Sequence, residues 1–239
     1  MASVALMPAI EDETSQNEEL IAAATVLLLR EERDELEVLM LRRNSKIAFG
    51  GMWVFPGGRV DDHELGPDEL ESARTAAARE TKEEAGLDLD RNQLLTWSHW
   101  QPPAAKDMVN RKGPLRRFST WFFVAAAPSG EVAIDHGEIH EDAWMRPAVA
   151  MEKHQVGEIE LVPPTWITLY QLAQHSTMTA ALDWAAATEP ARFWTKPLGK
   201  QPPVLVWEGD AAYESLESEA VGGRNRLTLH PDGWLYEQH

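Results

Sequence analysis

The chain has 239 residues, 44% of them hydrophobic, with 39 acidic against 22 basic side chains and a net charge of −17 at pH 7. So acidic a balance opposes sequence-independent binding to nucleic acid, which relies on a basic surface, and docking on anionic membranes. The absence of cysteine excludes disulfides, thiolate nucleophiles and cysteine-ligated zinc.

Residues 1–19 are polar and acidic after a short apolar start, and are expected to be a mobile tail. They lack the basic segment of a secretory signal, and no apolar run approaches a membrane span, so a soluble cytoplasmic protein is the expectation. Ile21 to Leu29 is an apolar run bounded by charge, the mark of a buried strand, and Leu36 to Leu41 reads as its hairpin partner. Met52 to Phe55 is a short strand stopped by Pro56-Gly57-Gly58, followed by a polar loop from Arg59 to Gly66. Pro67 suits a first helical turn, and Asp68, Glu69 and Glu71 suit its positive end. The alanine-rich stretch to Ala85 propagates that helix, and Gly86 is placed to end it.

Strands are expected at Leu94–Trp100, Phe118–Ala126 and Asp142–Met145. Helices follow from Pro147, from about Trp166 to His175, and over Thr179 to Ala187. The end of the chain turns β-like, at Val204–Trp207, Arg226–His230 and Trp234–Tyr236. The division expected is a tail over 1–19, a core over 20–150 and an extension over 151–239 packed on that core.

Three glutamates, Glu80, Glu83 and Glu84, crowd the last turn of the helix ending at Gly86. That end carries the negative pole of the helix dipole and prefers cations, and like charges at Glu80 and Glu84 repel. On a helical wheel the three share an arc of roughly 100°. Hard oxygen ligands on one face suit Mg²⁺ or Mn²⁺. Arg79 can orient a carboxylate, and the Gly57-Gly58 pair lets backbone approach a ligand closely. His136 and His140 fall four apart in an expected loop and are read as non-ligands.

Glu71, seven residues, then Arg79-Glu80-Thr81-Lys82-Glu83-Glu84-Ala85-Gly86-Leu87 resembles the Nudix box, and Phe55-Pro56-Gly57-Gly58 resembles the turn that leads into it. The resemblance to the Nudix hydrolases implies an α/β fold, an α/β/α sandwich around a mixed sheet, here with a helical and β-hairpin extension. It implies Mg²⁺-dependent hydrolysis of a nucleoside diphosphate linked to another group. Glu80, Glu83, Glu84 and the carbonyl of Gly57 would be metal ligands, with Arg79 and Glu71 supporting the carboxylates by ion pairing. Glu80, or an acid from the loop holding Glu138 and Glu141, would take the proton of the attacking water. The family's usual glycine, six residues before the first glutamate, falls on Leu65, while Gly58 stands thirteen residues before Glu71. Thr81 occupies a position usually aliphatic.

A narrower similarity, to the peroxisomal coenzyme A-type branch and its bacterial relatives, is carried by the long loop after Phe55 and by Arg116 to Phe123 and Leu161 to Trp166. Coenzyme A or a derivative is therefore one expected substrate and nucleoside diphosphate sugars another, although Ile47, with Lys46 beside it, stands where the coenzyme A signature places a basic residue. Arg111, Lys112, Arg116 and Arg117 are the one basic cluster, suited either to gripping a substrate phosphate or to a solvated loop. The rival readings are a nucleotide-binding regulatory module without turnover, and an RNA-decapping enzyme, which the net charge disfavours. A homodimer is expected only by likeness to the family.

Overall fold

A computed structural model describes residues 20–44, 51–104, 116–217 and 219–239, apart from the side chain of Lys200. The expected tail, together with Lys46, Ile47, Arg111 and Lys112, lies outside the described residues. Strand β1 spans Ile21–Glu32 and β2 spans Glu35–Arg43. The turn between them is only Arg33 and Asp34, both at positive φ (54° and 62°). Two successive left-handed residues match the right-handed twist of the flanking strands, so β1 runs on past its expected end at Leu29 and β2 starts before Leu36.

β1 is apolar without alternation because it is covered on both faces. It pairs in parallel with β6 (Phe118–Ala126), and its first half pairs antiparallel with β4 (Gly57–Arg59). β2 pairs with β3 (Trp53–Val54) and with β7 (Ile139–Met145). β5 (Leu95–Gln101) lies antiparallel on β6, and β8 (Ala191–Trp194) lies parallel on β5. The result is an eight-stranded mixed sheet.

Helix α1, Glu69–Ala85, covers one face. Its buried positions are mostly alanine, so it sits close on Ala24, Val26, Leu28, Leu39, Leu41 and Phe123. The opposite face, with Leu27, Leu29, Val38, Met40, Trp97 and Phe122, is covered by α2 (Pro147–Gln155), α3 (Pro163–Leu172) and α4 (Met178–Ala187). This is the α/β/α sandwich the sequence implies.

Residues beyond 151 do more than cover it, since β8 joins the main sheet. A second, antiparallel sheet follows, built of β9 (Lys196–Lys200), β10 (Pro203–Val206), β11 (Asn225–His230) and β12 (Gly233–Gln238). Trp207 joins the two bodies: it is fully buried, edge-on to Trp100, Phe193 and Tyr236. Strands β4, β8 and β9 were not expected, because each is short and lacks an apolar alternation of its own. Among the described residues no helix is long and apolar enough to cross a membrane.

Candidate active site

The site forms where the C-terminal end of α1 meets β4. Gly86 ends the helix in the left-handed region, at φ 70°, and its N–H donates to the Lys82 carbonyl. At the other end the cap is Asp68, whose carboxylate accepts from the Glu71 N–H at 2.8 Å. Pro67 thus precedes the cap and is not in the first turn; an Asx cap satisfies an orphan amide, which proline cannot do.

The three glutamates of the last turns sit in different environments. Glu83 is exposed, Glu80 is half-buried and Glu84 is 4% exposed. Glu84 faces β4, where the Gly57 N–H donates to its Oε2 at 2.9 Å. Burial pushes the Glu84 carboxyl from its ordinary 4.5 up to about 8, against the pull of that hydrogen bond and of the Arg43 charge. Burial also raises Glu80, opposed by Arg79 and reinforced by Glu83 and Glu138. The two glycines leave room for different neighbours. A side chain on Gly58 would run into the Glu80 carboxylate, and one on Gly57, at φ 154°, would strike the Ala24 carbonyl and Thr25.

Arg79 is the hub. Its Nη1 reaches Glu80 Oε1 and Glu83 Oε2, each at 2.9 Å. Its Nε and Nη2 donate to the two oxygens of Glu64 at 2.8 and 3.0 Å, and Nη2 also donates to the Arg59 carbonyl. Glu64 is buried, which raises its pKa, yet the Arg79 and Asp61 hydrogen bonds and the Arg79 charge outweigh burial and lower it overall. Glu71 takes no part: its Oε1 accepts from Arg74 at 2.6 Å, one turn along the helix. The partner of Arg79 is therefore Glu64 and not Glu71. The signal was present, since Glu64 stands six residues after Gly58, the spacing the family pattern asks for. Asp61 and Glu64 also form a reciprocal capping box around a short 3₁₀ turn. The extra residues thus fall after the first glutamate, between Glu64 and α1. Thr81 is fully buried but its hydroxyl donates to the Ala77 carbonyl at 2.7 Å, so the helix satisfies it.

The two loop acids separate. Glu138 lies close enough for its charge to raise both Glu80 and Glu84. Asp135 fixes the turn before it by accepting from the Glu138 and Ile139 N–H groups, each at 3.0 Å. Glu138 is tied to Arg43 at 3.1 Å, and Arg43 is a site residue the sequence reading missed. Glu141 instead opposes Arg42 and pairs with it at 3.3 Å. Arg42 shares its side of the pleat with Met40 and Val38, which face the helical layer opposite α1. Arg117 donates to the carbonyls of Pro102 and Pro103, which holds the ends of β5 and β6 together. Arg116 is exposed.

The donor set fits a divalent cation. Hard carboxylate oxygens are gathered, two of them destabilised by burial and mutual repulsion that a cation would relieve. Among the described residues no three ligating side chains already converge as a cage. Glu80 and Glu83 are turned to Arg79, and Glu84 to Gly57, so binding would draw them away from these partners.

The fold has solved counterparts. The chain is similar to a NUDIX hydrolase from Alicyclobacillus acidocaldarius, at 20% identity and a TM-score of 0.61, over 70% of this chain and 97% of that one. The NUDIX domain of Shewanella oneidensis NrtR, solved with ADP ribose, aligns at 15% identity and a TM-score of 0.49, over 70% and 95%. A MutT NUDIX hydrolase from Burkholderia pseudomallei aligns at 20% identity and a TM-score of 0.46, over 64% and 98%. No curated protein sequence matches significantly. Residues 19–163, more than half of the chain, match the family model of the NUDIX domain. With its glutamates, its arginine hub and its glycine turn in place, the chain belongs to the Nudix hydrolase family, pyrophosphohydrolases that act on nucleoside diphosphates linked to another moiety.

Proposed function

We propose that this chain is a Mg²⁺- or Mn²⁺-dependent hydrolase that cleaves the diphosphate of a nucleotide-type small molecule, with coenzyme A or a derivative among the candidates. The observation that carries the reading is Glu84, a buried carboxylate held by one backbone N–H beside two further acids. A fold gains nothing from such a group by itself.

Glu80, Glu83, Glu84 and the Gly57 carbonyl are the residues that would hold the cation. When bound it neutralises charge on the diphosphate and polarises the phosphorus centre. The remaining roles belong to the chain. Gly57 sets the orientation of Glu84, and Arg79, locked by Glu64, restrains Glu80 and Glu83. Water adds to one phosphorus while the bridging phosphorus–oxygen bond breaks, and the leaving phosphate carries off the electron pair. We assign the proton from that water to Glu138, which faces Glu80 and Glu84, ahead of Glu141, which pairs with Arg42 on the other side of the sheet. The similarity over Arg116 to Phe123 and Leu161 to Trp166 supports the coenzyme A candidate.

The test is phosphate release, after coupled phosphatase treatment, from coenzyme A, NADH, ADP-ribose and capped RNA, with and without Mg²⁺. Turnover of a small-molecule diphosphate that stops with chelator is expected, as is a loss of at least about a hundredfold in Glu84→Gln. Near-normal Mg²⁺-dependent turnover in that variant would sink the assignment. Tight binding of one compound with no turnover of any would replace it with a regulatory module.

A further inference from the structure

On the helical side of the sheet, away from α1, the turns of α2 and α3 and the start of β12 enclose a groove of about 290 Å³. Its walls are aromatic. Trp166 and Tyr170 lie nearly parallel, with ring centres 5.9 Å apart. Trp234 leans on Trp166 at 6.0 Å and 52°, and His154 stands edge-on to Trp234 at 4.5 Å. Trp234 and Tyr170 are only half-buried, so ring surface faces the opening. A concave surface lined by aromatic side chains with a few polar groups is the usual form of a small-molecule site.

The charge of the lining selects the guest. Glu152 lines the groove and is exposed, so the lining carries an acidic residue alongside aromatic rings whose faces are themselves negative through their quadrupoles. Among the described residues, no lysine or arginine lines the groove. Lys153, next to Glu152, is turned to Glu158 at 2.7 Å. His154 is half-buried beside Trp234, where burial lowers its pKa against the opposing pull of the Ile159 carbonyl and the Glu160 charge. Met151 adds a polarisable thioether to the same wall.

We propose that this groove is a binding site for a small organic cation of the alkylammonium class, seated against Trp166, Tyr170 and Trp234 and balanced by Glu152. Several aromatic faces with one carboxylate satisfy a quaternary ammonium group, whose apolar methyls and diffuse charge suit rings better than water-seeking donors. A metal ion would find one carboxylate and no cage.

The experiment uses the full chain, with choline chloride and its uncharged tert-butyl analogue, 3,3-dimethylbutan-1-ol, as matched probes. Calorimetry gives affinities, and ¹⁵N–¹H NMR of the indole N–H groups gives location. Saturable choline binding is expected to move the Trp166 and Trp234 signals, with the neutral analogue at least about tenfold weaker. Trp234→Leu is expected to weaken choline about tenfold, and the exposed Glu152→Gln by several-fold without touching the fold. Equal affinity for the two probes would overturn the proposal in favour of a purely apolar site. So would unmoved indole signals at saturating choline, or a Glu152→Gln variant that binds as the wild type does. Hydrolase turnover is independent of every one of these outcomes, because the groove shares no residue with the glutamate site.

Discussion

Glu84 joins two properties that seldom coexist, near-complete burial and an ionisable carboxyl group. The physical consequence is a pH-dependent cost. The folded pKa of about 8 lies above the ordinary 4.5, so between these values the folded chain holds a proton that the unfolded chain has lost. Stability of the metal-free protein is therefore expected to fall as pH rises from about 5 to 8, by an amount on the order of a few kcal/mol. Thermal melts in chelator across that range check it, and a flat profile would contradict it. Glu84→Gln keeps an acceptor for the Gly57 N–H and removes the charge, so in chelator it is expected to melt above the wild type even as it loses turnover. Glu64 and Glu71 offer a second contrast. Glu64→Ala leaves the Arg79 guanidinium without its two-pronged buried partner and is expected to cost about 3 kcal/mol in urea titration, together with turnover. Glu71→Ala breaks one pair between half-exposed groups on a helix surface and is expected to cost about 1 kcal/mol or less, with turnover retained. Composition distinguishes neither residue; the spacing from Gly58 and the capping-box pattern do.

At the scale of elements, the site is a junction between a helix end and a three-residue strand. β4 is nearly invisible in sequence, because Gly57-Gly58-Arg59 has no apolar pattern. Its backbone nonetheless docks on β1, with Ala24 opposite Gly58, and this brings the glycine pair under Glu80 and Glu84. Gly58→Ala is expected to reduce turnover by about tenfold or more while the melting temperature moves little, since the added carbon meets the far end of the flexible Glu80 side chain. A full loss of folding in circular dichroism would mean that the strand, and not the carboxylate, is what yields. The loop acids follow the same logic. An irregularity between Arg42 and Arg43 shifts the β2–β7 register, so Arg43 meets Glu138 while Arg42 keeps Glu141 on the other side. A strand register turned by one residue reverses every face, which is why sequence spacing could not separate Glu138 from Glu141.

Across the whole molecule, the last third of the chain is part of the core. β8 extends the main sheet beside β5, and Trp207 fills the space between that sheet, Phe193 and the second sheet. The second sheet is pinned by Asp210 and Arg226, a buried two-bond pair at 2.6 and 2.7 Å that holds Asp210 at a pKa of about 2. Trp207→Ala is expected to cost about 4 kcal/mol in urea unfolding, with turnover per folded molecule unchanged, because no glutamate of the site touches it. A large loss of turnover at full folding would show instead that the second sheet shapes the substrate pocket.

The buried strand β1, the alanine face of α1, the stop at Gly86 and the three glutamates were legible in the sequence alone, because each is set by local periodicity, helix propensity or the φ requirement of one residue. The family pattern around Arg79 was legible for the same reason, since a helix fixes its spacings. What only the tertiary structure decided is pairwise and distant: Glu64 as the partner of Arg79, Glu138 on the side of the glutamates, β4 and β8 as strands, and the aromatic groove across α2, α3 and β12. Those contacts join residues far apart in the chain. They depend on sheet register and on which face each side chain is turned to, quantities that tertiary packing sets and that residue spacing does not record.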